Sequence, residues 1–212
     1  MGKTPEKALD LIREFESCLR RVKGAVPALF APYLDPIGIP TLGWGSIKYP
    51  NGRKVTMKDP PRTSDECDAL FAWEIETESE PGVDRLVKVP LHPYSYGALV
   101  SFAYNLGAGN LSHSTLLRMV NERRWDRVRG EFMQWRMAGG KVLRGLERRR
   151  AAEADLFLLG VALAAKGVAV EPVPVPSAPA PLPEVDAPVT TAPARRSFGD
   201  LLNEAIAWLR KK

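Results

Sequence analysis

Hydrophobic positions recur at helical spacing near the start of the chain and again through its middle. The first stretch covers residues 5–23, where the period predicts an amphipathic helix with the apolar positions Ala8, Leu11, Ile12, Phe15, Leu19 and Val22. From Pro93 the pattern is helical again, and residues 98–107 are apolar nearly all round, which is typical of a buried central helix. Further helices are predicted over residues 114–123, 125–138 and 146–165.

A different pattern separates these helical stretches. Between residues 33 and 58, glycines, an Asn51-Gly52 turn and β-forming residues predict a small irregular sheet or hairpin. Thr63 and Glu66 have the spacing of a capping box, so a helix is expected to begin there and continue to about Ser79. A helix, a small sheet and then several helices predict an α+β domain over residues 1–165.

The end of the chain has a separate organisation. Eight of the 27 residues from 168 to 194 are proline, so residues 166–194 are expected to form an extended linker. Residues 195–212 carry a net charge of +3 and one apolar stripe, with Trp208 beside it and Ser197 placed to cap. They predict a basic amphipathic helix that binds an anionic membrane or envelope surface, or that docks on the preceding domain or on a partner helix.

Composition narrows the classes of partner. The net charge of +5 suits a polyanion such as nucleic acid, anionic lipid or an acidic cell wall, or reflects only a solvated basic surface. No nucleic-acid-binding motif occurs, so specific nucleic-acid binding is not expected. Cys18 and Cys67 lie outside any metal-ligand spacing, so no metal or cofactor is expected, and buried free thiols are favoured over a disulfide formed after export.

Two further patterns bear on where the protein is made. The charged N-terminus lacks the apolar core of a signal peptide. The longest apolar run, residues 156–165, is too short to span a bilayer. Synthesis in the cytosol is therefore expected.

Candidate chemistry comes from two carboxylic acids in different settings. Glycosidic bonds are usually cut by a protonated acid and an ionised partner. Glu16, at the apolar edge of the first helix, fits the acid, and Asp35, in a polar turn, fits the ionised partner. Glu14 lies about as close to the apolar stripe on its other edge, so periodicity alone leaves the choice between Glu14 and Glu16 open.

Four ordered blocks of sequence resemble the phage-type lysozymes, glycoside hydrolase family 24. They are FES at 15–17, APYLDPIGIPTLGWG at 31–45, SFAYNLGAGNLSHSTLL at 101–117 and GGKVLRGLERRRAAEADLF at 139–157. The resemblance covers roughly residues 8 to 160. It implies a mostly helical, lysozyme-like fold with a small sheet. It also implies a monomeric, endolysin-type enzyme that hydrolyses the β-1,4 bond between N-acetylmuramic acid and N-acetylglucosamine in bacterial peptidoglycan.

The resemblance also implies roles for individual residues. Glu16 corresponds to the general acid of the family, and Asp35 and Thr41 correspond to the pair that holds the attacking water in an inverting reaction. Asn105 matches a family cleft position, where it either binds substrate or simply ends a helix. Tyr33 either lines a sugar subsite or packs against its neighbours.

This sequence departs from the family pattern at two places. Eighteen residues, rather than the usual eight, separate Glu16 from Asp35. The extra ten, within SCLRRVKGAVPALF, are expected to fall between the helix and the sheet, where an insertion costs little closure entropy but can move the two carboxyls apart or cover the cleft. Ser46 stands where many relatives have histidine, at a position expected to be structural.

Several alternatives remain open at this point. A run of four arginines either grips anionic wall polymers or forms a solvated helix face with salt bridges, and its members are Arg144, Arg148, Arg149 and Arg150. A core role is favoured for Trp44, Trp73, Trp125 and Trp135. The same fold serves lytic transglycosylases and non-catalytic wall-binding proteins, but the retained Asp35 and Thr41 favour hydrolysis. An endolysin without a signal peptide is expected to reach the wall through a holin-type pore, late in phage infection.

Overall fold

A computed structural model describes residues 4–16, 21–35 and 38–168. Contacts divide this part of the chain into two compact units. We call residues 4–15 and 76–168 the helical unit, and residues 16–75 the sheet unit. All but the first three residues of the expected linker at 166–194, and the whole of the expected helix at 195–212, lie outside the described residues.

Helices make up most of the described chain. The α-helices are α1 Glu6–Phe15, α2 Ser64–Glu74, α3 Glu80–Leu86, α4 Pro93–Leu106, α5 Ala108–Ser112, α6 Thr115–Asn121, α7 Trp125–Met133 and α8 Arg144–Ala165. A π-helical turn, Ile75–Ser79, joins α2 to α3, and a 3-10 turn, Gln134–Arg136, follows α7. The short strands are β1 Leu29–Phe30, β2 Tyr33–Leu34, β3 Pro40–Thr41, β4 Arg62–Thr63, β5 Met137–Ala138 and β6 Lys141–Val142. The predicted mostly helical fold with small hairpins is thus confirmed.

Helix α4 is the centre of the helical unit. Eleven of its 14 residues are buried, as the apolar pattern predicts. Gly97 lets α1 approach closely, because a Cβ atom at this position would lie 2.5 Å from the Cβ of Ala8. On the other side, Ser95 Oγ donates to the Phe157 carbonyl at 2.7 Å and so ties α4 to α8.

A charged cluster is buried between α4 and α8. One oxygen of Glu153, Oε1, accepts hydrogen bonds from Ser101 at 2.7 Å, Arg150 at 3.0 Å and Arg149 at 3.2 Å. All four side chains are at most 4% exposed. The alternative of a solvated face is therefore wrong for Arg149 and Arg150, whereas Arg144 and Arg148 are exposed. The periodicity could not reveal this, because an arginine enters a core only with a partner such as Glu153.

The sheet unit consists of short antiparallel pairings around a small core. β1 pairs with β4, and β2 pairs with β3. The core contains Leu42, Tyr49, Val55 and Leu70, with Trp73 packed against it. The predicted Asn51-Gly52 turn is present, since Gly52 has a φ of +82° and donates its N–H to the Tyr49 carbonyl at 2.9 Å.

A polar cluster stabilises this core at Tyr49. The Tyr49 hydroxyl donates to Asp59 at 2.8 Å, and the Arg53 guanidinium lies 4.2 Å from the Tyr49 ring centroid and pairs with Asp59 at 2.8 Å. Burial alone would raise the pKa of Asp59, but hydrogen bonds from Arg53, Thr56 and Tyr49 lower it to about 2. Burial raises the pKa of Tyr49, and the hydrogen bond to Asp59 makes a smaller contribution in the same direction.

Helix ends test the finer sequence predictions. The capping box is confirmed: Thr63 Oγ1 accepts the Glu66 N–H at 3.2 Å, and Glu66 accepts the Thr63 N–H at 2.8 Å. The prediction of a helix through residue 23 is wrong, because α1 ends at Phe15 and the Val22 N–H donates to the Leu29 carbonyl instead. The helix predicted to end near Ser79 continues through the π-helical turn into α3. Pro81 lies in the first turn of α3, where proline is tolerated because a backbone N–H at this position would have no partner within α3.

Cys67 is a buried free thiol, as predicted, and Cys18 lies outside the described residues. Burial, with smaller contributions from Asp68 and Glu66, raises the pKa of Cys67 to about 12. Gly43 lies directly against it, since a Cβ atom there would come 2.9 Å from the Cys67 Cβ. Among the described residues, none of the helices is both long and apolar enough to cross a membrane. The same part of the chain contains no cluster of three or more potential metal ligands.

Candidate active site

The β2–β3 hairpin brings two of the three predicted catalytic residues together. Tyr33 pairs with Thr41, and Leu34 pairs with Pro40. Asp35 follows directly on β2, and Gly38, with a φ of +85° in the left-handed region, helps the chain to reverse before β3. The turn therefore places Asp35 opposite Ile39, while Thr41 lies two residues further along β3, opposite Tyr33.

The backbone of one residue, Ile39, connects Asp35 to Thr41 through its N–H and its carbonyl. The Ile39 N–H donates to the Asp35 carboxylate oxygen Oδ1 at 2.8 Å. The Ile39 carbonyl accepts the Thr41 hydroxyl at 3.0 Å and the Asp35 N–H at 3.0 Å. Thr41 is only 2% exposed. Because its proton points to this carbonyl, the lone pairs of its oxygen are left to accept a hydrogen bond from a small molecule that reaches it, such as water.

Glu16 lies directly after the last residue of α1 and belongs to the sheet unit, as Asp35 and Thr41 do. It is half-buried. Glu14, the competing candidate, is 65% exposed, and its Oε1 lies 3.7 Å from the Arg148 guanidinium. Glu16 therefore has the lower exposed fraction of the two glutamates.

The two predicted substrate-binding residues lie in different surroundings. Tyr33 is half-buried and, two positions before Asp35 along β2, faces the same side of the hairpin. Asn105 belongs to the helical unit, is 4% exposed and accepts a hydrogen bond from Arg150 at 2.9 Å through its amide oxygen. That bond fixes the Asn105 side chain in the charged cluster of Glu153.

Other residues singled out in the sequence have structural partners. Ser46, at the position where many relatives have histidine, donates to Glu74 at 3.1 Å, and both side chains are buried. Trp44 donates its indole N–H to Asp68 at 2.9 Å. The four predicted core tryptophans within the described residues are half-buried rather than fully enclosed.

Sequence reasoning missed the contribution of Ile39. Its role rests on the backbone N–H and carbonyl, which every residue other than proline possesses, so no side-chain pattern could have revealed it. The only available signal was the Gly38 that precedes it, which is typical of a turn with positive φ.

Comparisons with known proteins agree with this architecture. The family model described as "Phage lysozyme" matches residues 29–153, a range that includes Asp35 and Thr41 and begins after Glu16. The endolysin of Bacillus phage B103 is 48% identical over 155 residues, which are 73% of this chain. The chain spans only 54%, or about half, of that relative's length.

Two further proteins extend the comparison. The SAR-endolysin of bacteriophage PS119 is 35% identical over 131 residues, covering 62% of this chain and 75% of the relative. The solved endolysin of Escherichia coli O157:H7 phage FAHEc1 superimposes with a TM-score of 0.62 at 29% identity, covering 72% of this chain and 91% of that one. The likeness therefore holds in sequence and in fold.

Proposed function

The chain belongs to the phage lysozyme family, and we propose that it is an endolysin-type muramidase, a glycoside hydrolase that acts on peptidoglycan. Its substrate is the glycan strand of the bacterial wall, and it hydrolyses the β-1,4 bond between N-acetylmuramic acid and N-acetylglucosamine. The observation that carries the proposal is the turn in which the backbone of one residue, Ile39, links Asp35 to Thr41. Its role in a phage is lysis of the host cell.

Asp35 and Thr41 hold and activate the attacking water. The water donates one proton towards the Asp35 carboxylate and the other towards Thr41 Oγ1, whose own proton is committed to the Ile39 carbonyl. A lone pair of the water oxygen then faces the anomeric carbon. As the new C–O bond forms, Asp35 takes the water proton and acts as general base.

Glu16 completes the reaction as general acid. It gives its proton to the glycosidic oxygen, so the leaving sugar departs as a neutral alcohol and the C–O bond breaks without building an alkoxide. The half-buried position of Glu16, compared with the exposed Glu14, supports this assignment. A water that attacks from the face opposite the leaving group inverts the configuration at the anomeric carbon.

Tyr33 and Asn105 are proposed to contact the sugars. Tyr33 supports this role by sharing a face of the hairpin with Asp35. For Asn105, the bond from Arg150 uses one of the two lone pairs of the amide oxygen and orients the side chain, and the amide N–H groups are the donors proposed for the substrate.

The other parts of the chain are proposed to deliver the enzyme. Residues 1–165 form the catalytic domain, residues 166–194 a proline-rich linker, and residues 195–212 a basic amphipathic helix for an anionic membrane or envelope surface. The sequence pattern of these segments supports the division. A holin-type pore is the proposed route from the host cytosol to the wall, and the enzyme acts as a monomer.

Analysis of the first products on purified sacculi tests the proposed reaction. Proton NMR of the new reducing ends is expected to show the α-anomer first, because inversion at a β-1,4 bond produces it. An initial β-anomer would contradict the assigned roles of Asp35 and Thr41. A 1,6-anhydro product would identify a lytic transglycosylase, and binding to sacculi without any product would identify a non-catalytic wall-binding protein.

A further inference from the structure

Residues 21–30, which lie between Glu16 and Asp35, form a hairpin. We call residues 21–30 the insert hairpin. Its arms are joined by a bridge between Arg21 and Phe30 and by the Val22 N–H, which donates to the Leu29 carbonyl at 2.7 Å. The second arm is β1, which pairs with β4 at Leu29↔Thr63 and Phe30↔Arg62. The insert is thus a continuation of the sheet, held on one side by β4.

The surface of the insert hairpin is basic and partly apolar. Arg21 and Lys23 are exposed, and Val26 is 95% exposed. Residues 21–30 contain no acidic side chain. Within the described residues, neither Arg21 nor Lys23 forms an ion pair. Two cations and a valine therefore face solvent together, without a partner in this part of the protein.

Chain connectivity keeps this surface near the candidate active site. Arg21 comes five residues after Glu16, and Phe30 comes five residues before Asp35. Five residues span at most about 18 Å when fully extended. The Cα atom of Arg21 is therefore within that distance of the Cα atom of Glu16, and that of Phe30 is within the same distance of Asp35. All four residues belong to the sheet unit.

We propose that the insert hairpin binds the peptide stems that project from the glycan strand of the substrate. The inference rests on the proposed function. Free carboxylates on the stems complement Arg21 and Lys23, and the methyl groups of their alanines complement Val26. Apart from its two cations, the insert hairpin carries no hydrogen-bonding side chain, and Phe30, its one aromatic residue, is half-buried. The chemistry of this surface thus fits the peptide rather than the glycan.

An anionic lipid surface fits the insert hairpin less well than the peptide stems do. Each cation near an anionic membrane contributes on the order of 1 kcal/mol, and a single exposed valine adds little apolar burial. Two cations and one valine are too few for stable binding. Two or three contacts are enough for the peptide stems, because the active site already holds the glycan strand to which they are attached.

The test measures kcat/KM of one variant on two substrates. The tip variant carries Arg21→Gln, Lys23→Gln and Val26→Ser. On stem-bearing glycan strands its kcat/KM is expected to fall roughly tenfold, which is the combined effect of two exposed charge contacts of ordinary strength. On strands whose stems have been removed by an amidase, its kcat/KM is expected to equal that of the unmodified enzyme.

A matched control replaces exposed residues of the same types elsewhere in the sheet unit. Lys54→Gln, Met57→Ser and Lys58→Gln remove two cations and one apolar side chain that are also exposed. This control variant is expected to cleave both substrates as the unmodified enzyme does. An equal loss on both substrates, or no loss on stem-bearing strands, would overturn the proposal.

Equilibrium binding of fluorescently labelled strands separates this inference from the proposed function. The tip variant is expected to bind stem-bearing strands about tenfold more weakly and stem-free strands equally well, whether or not cleavage follows. Equal affinity for stem-bearing strands overturns the inference even if the enzyme proves to be a muramidase. Loss of binding to anionic vesicles, with strand binding intact, would assign the surface to lipid and overturn it as well.

Discussion

Asp35 and Thr41 owe their relative position to the backbone of a single residue. Ile39 donates its N–H to one and accepts at its carbonyl from the other, both at about hydrogen-bonding distance. Backbone groups in a tight turn move little, so both side chains are oriented before substrate arrives. Such preorganisation avoids the cost of ordering the groups during the reaction.

The clearest prediction at this scale concerns the two neighbouring glutamates. Glu16→Gln is expected to lower kcat on peptidoglycan by about 10²- to 10⁴-fold, because an amide cannot deliver a proton to the leaving oxygen. Glu14→Gln is the matched control and is expected to retain activity within about twofold, since it loses only an exposed ion pair with Arg148. Turbidity loss of chloroform-treated Gram-negative cells measures both, with thermal unfolding to verify the fold. The reverse pair of phenotypes would show that Glu14 is the acid.

At the scale of elements, the crossing of α4 and α8 determines how closely the helical unit packs. Gly160 on α8 lies against Ser95 on α4, so that a Cβ atom there would lie 2.3 Å from Ser95 Oγ and 2.7 Å from its backbone nitrogen. The contact at the backbone cannot be relieved by a side-chain rotation. Glycine at this position is therefore a packing requirement.

Gly160→Ala is expected to lower the free energy of unfolding by about 1 to 3 kcal/mol through overpacking. Gly145→Ala is the control on the same helix. A Cβ atom at Gly145 meets nothing within 4 Å, and alanine raises helix propensity, so this variant is expected to gain about 0.5 to 1 kcal/mol. Urea unfolding followed by circular dichroism measures both changes. A Gly160→Ala protein as stable as Gly145→Ala would show that the helices separate more readily than the structure implies.

The sequence predicted those elements whose signals are local. The Thr63–Glu66 box and the apolar run of α4 need no distant partner to be recognised, and both are present. The end of α1 was missed because Leu19 and Val22 continue the helical spacing, while Val22 in fact pairs with Leu29. The helix predicted over residues 125–138 ends early for a similar reason. Met137 and Ala138 pair with Lys141 and Val142 across the Gly139-Gly140 turn.

The candidate site was predictable only in part. Family resemblance identified Asp35 and Thr41, and the structure adds the turn that joins them. The partner of Asn105, Arg150, lies 45 residues further along the chain, and no spacing rule connects two such residues. The exposure of Arg21 and Lys23 depends on how the insert folds, which the sequence pattern did not show.

At the scale of the whole molecule, a long C-terminal segment of different composition follows the proposed catalytic domain. Deleting residues 168–212 is expected to leave hydrolysis of purified peptidoglycan nearly unchanged, because the described catalytic candidates all precede this segment. Binding to anionic vesicles, and lysis of cells that keep their outer membrane, are expected to weaken.

A charge variant of the full chain separates the two contributions of the segment. The variant replaces every cation of residues 195–212 by glutamine and keeps the apolar stripe. The replaced residues are Arg195, Arg196, Arg210, Lys211 and Lys212. This variant is expected to bind vesicles more weakly, with a reduced dependence on salt. Docking onto the catalytic domain would instead be indicated if the deletion lowered the unfolding temperature and the full chain ignored vesicles.

Because Cys67 is buried, the rate at which a reagent labels its thiol measures how often the sheet unit opens locally. A thiol with a pKa near 12 that also has no access to solvent reacts only while its surroundings are open. In a Cys18→Ser protein, the labelling rate therefore reports how often the region that holds Asp35 and Thr41 opens. Saturating substrate should slow that rate if binding holds the sheet unit closed, so the same atom can measure the rigidity of the active site without any added probe.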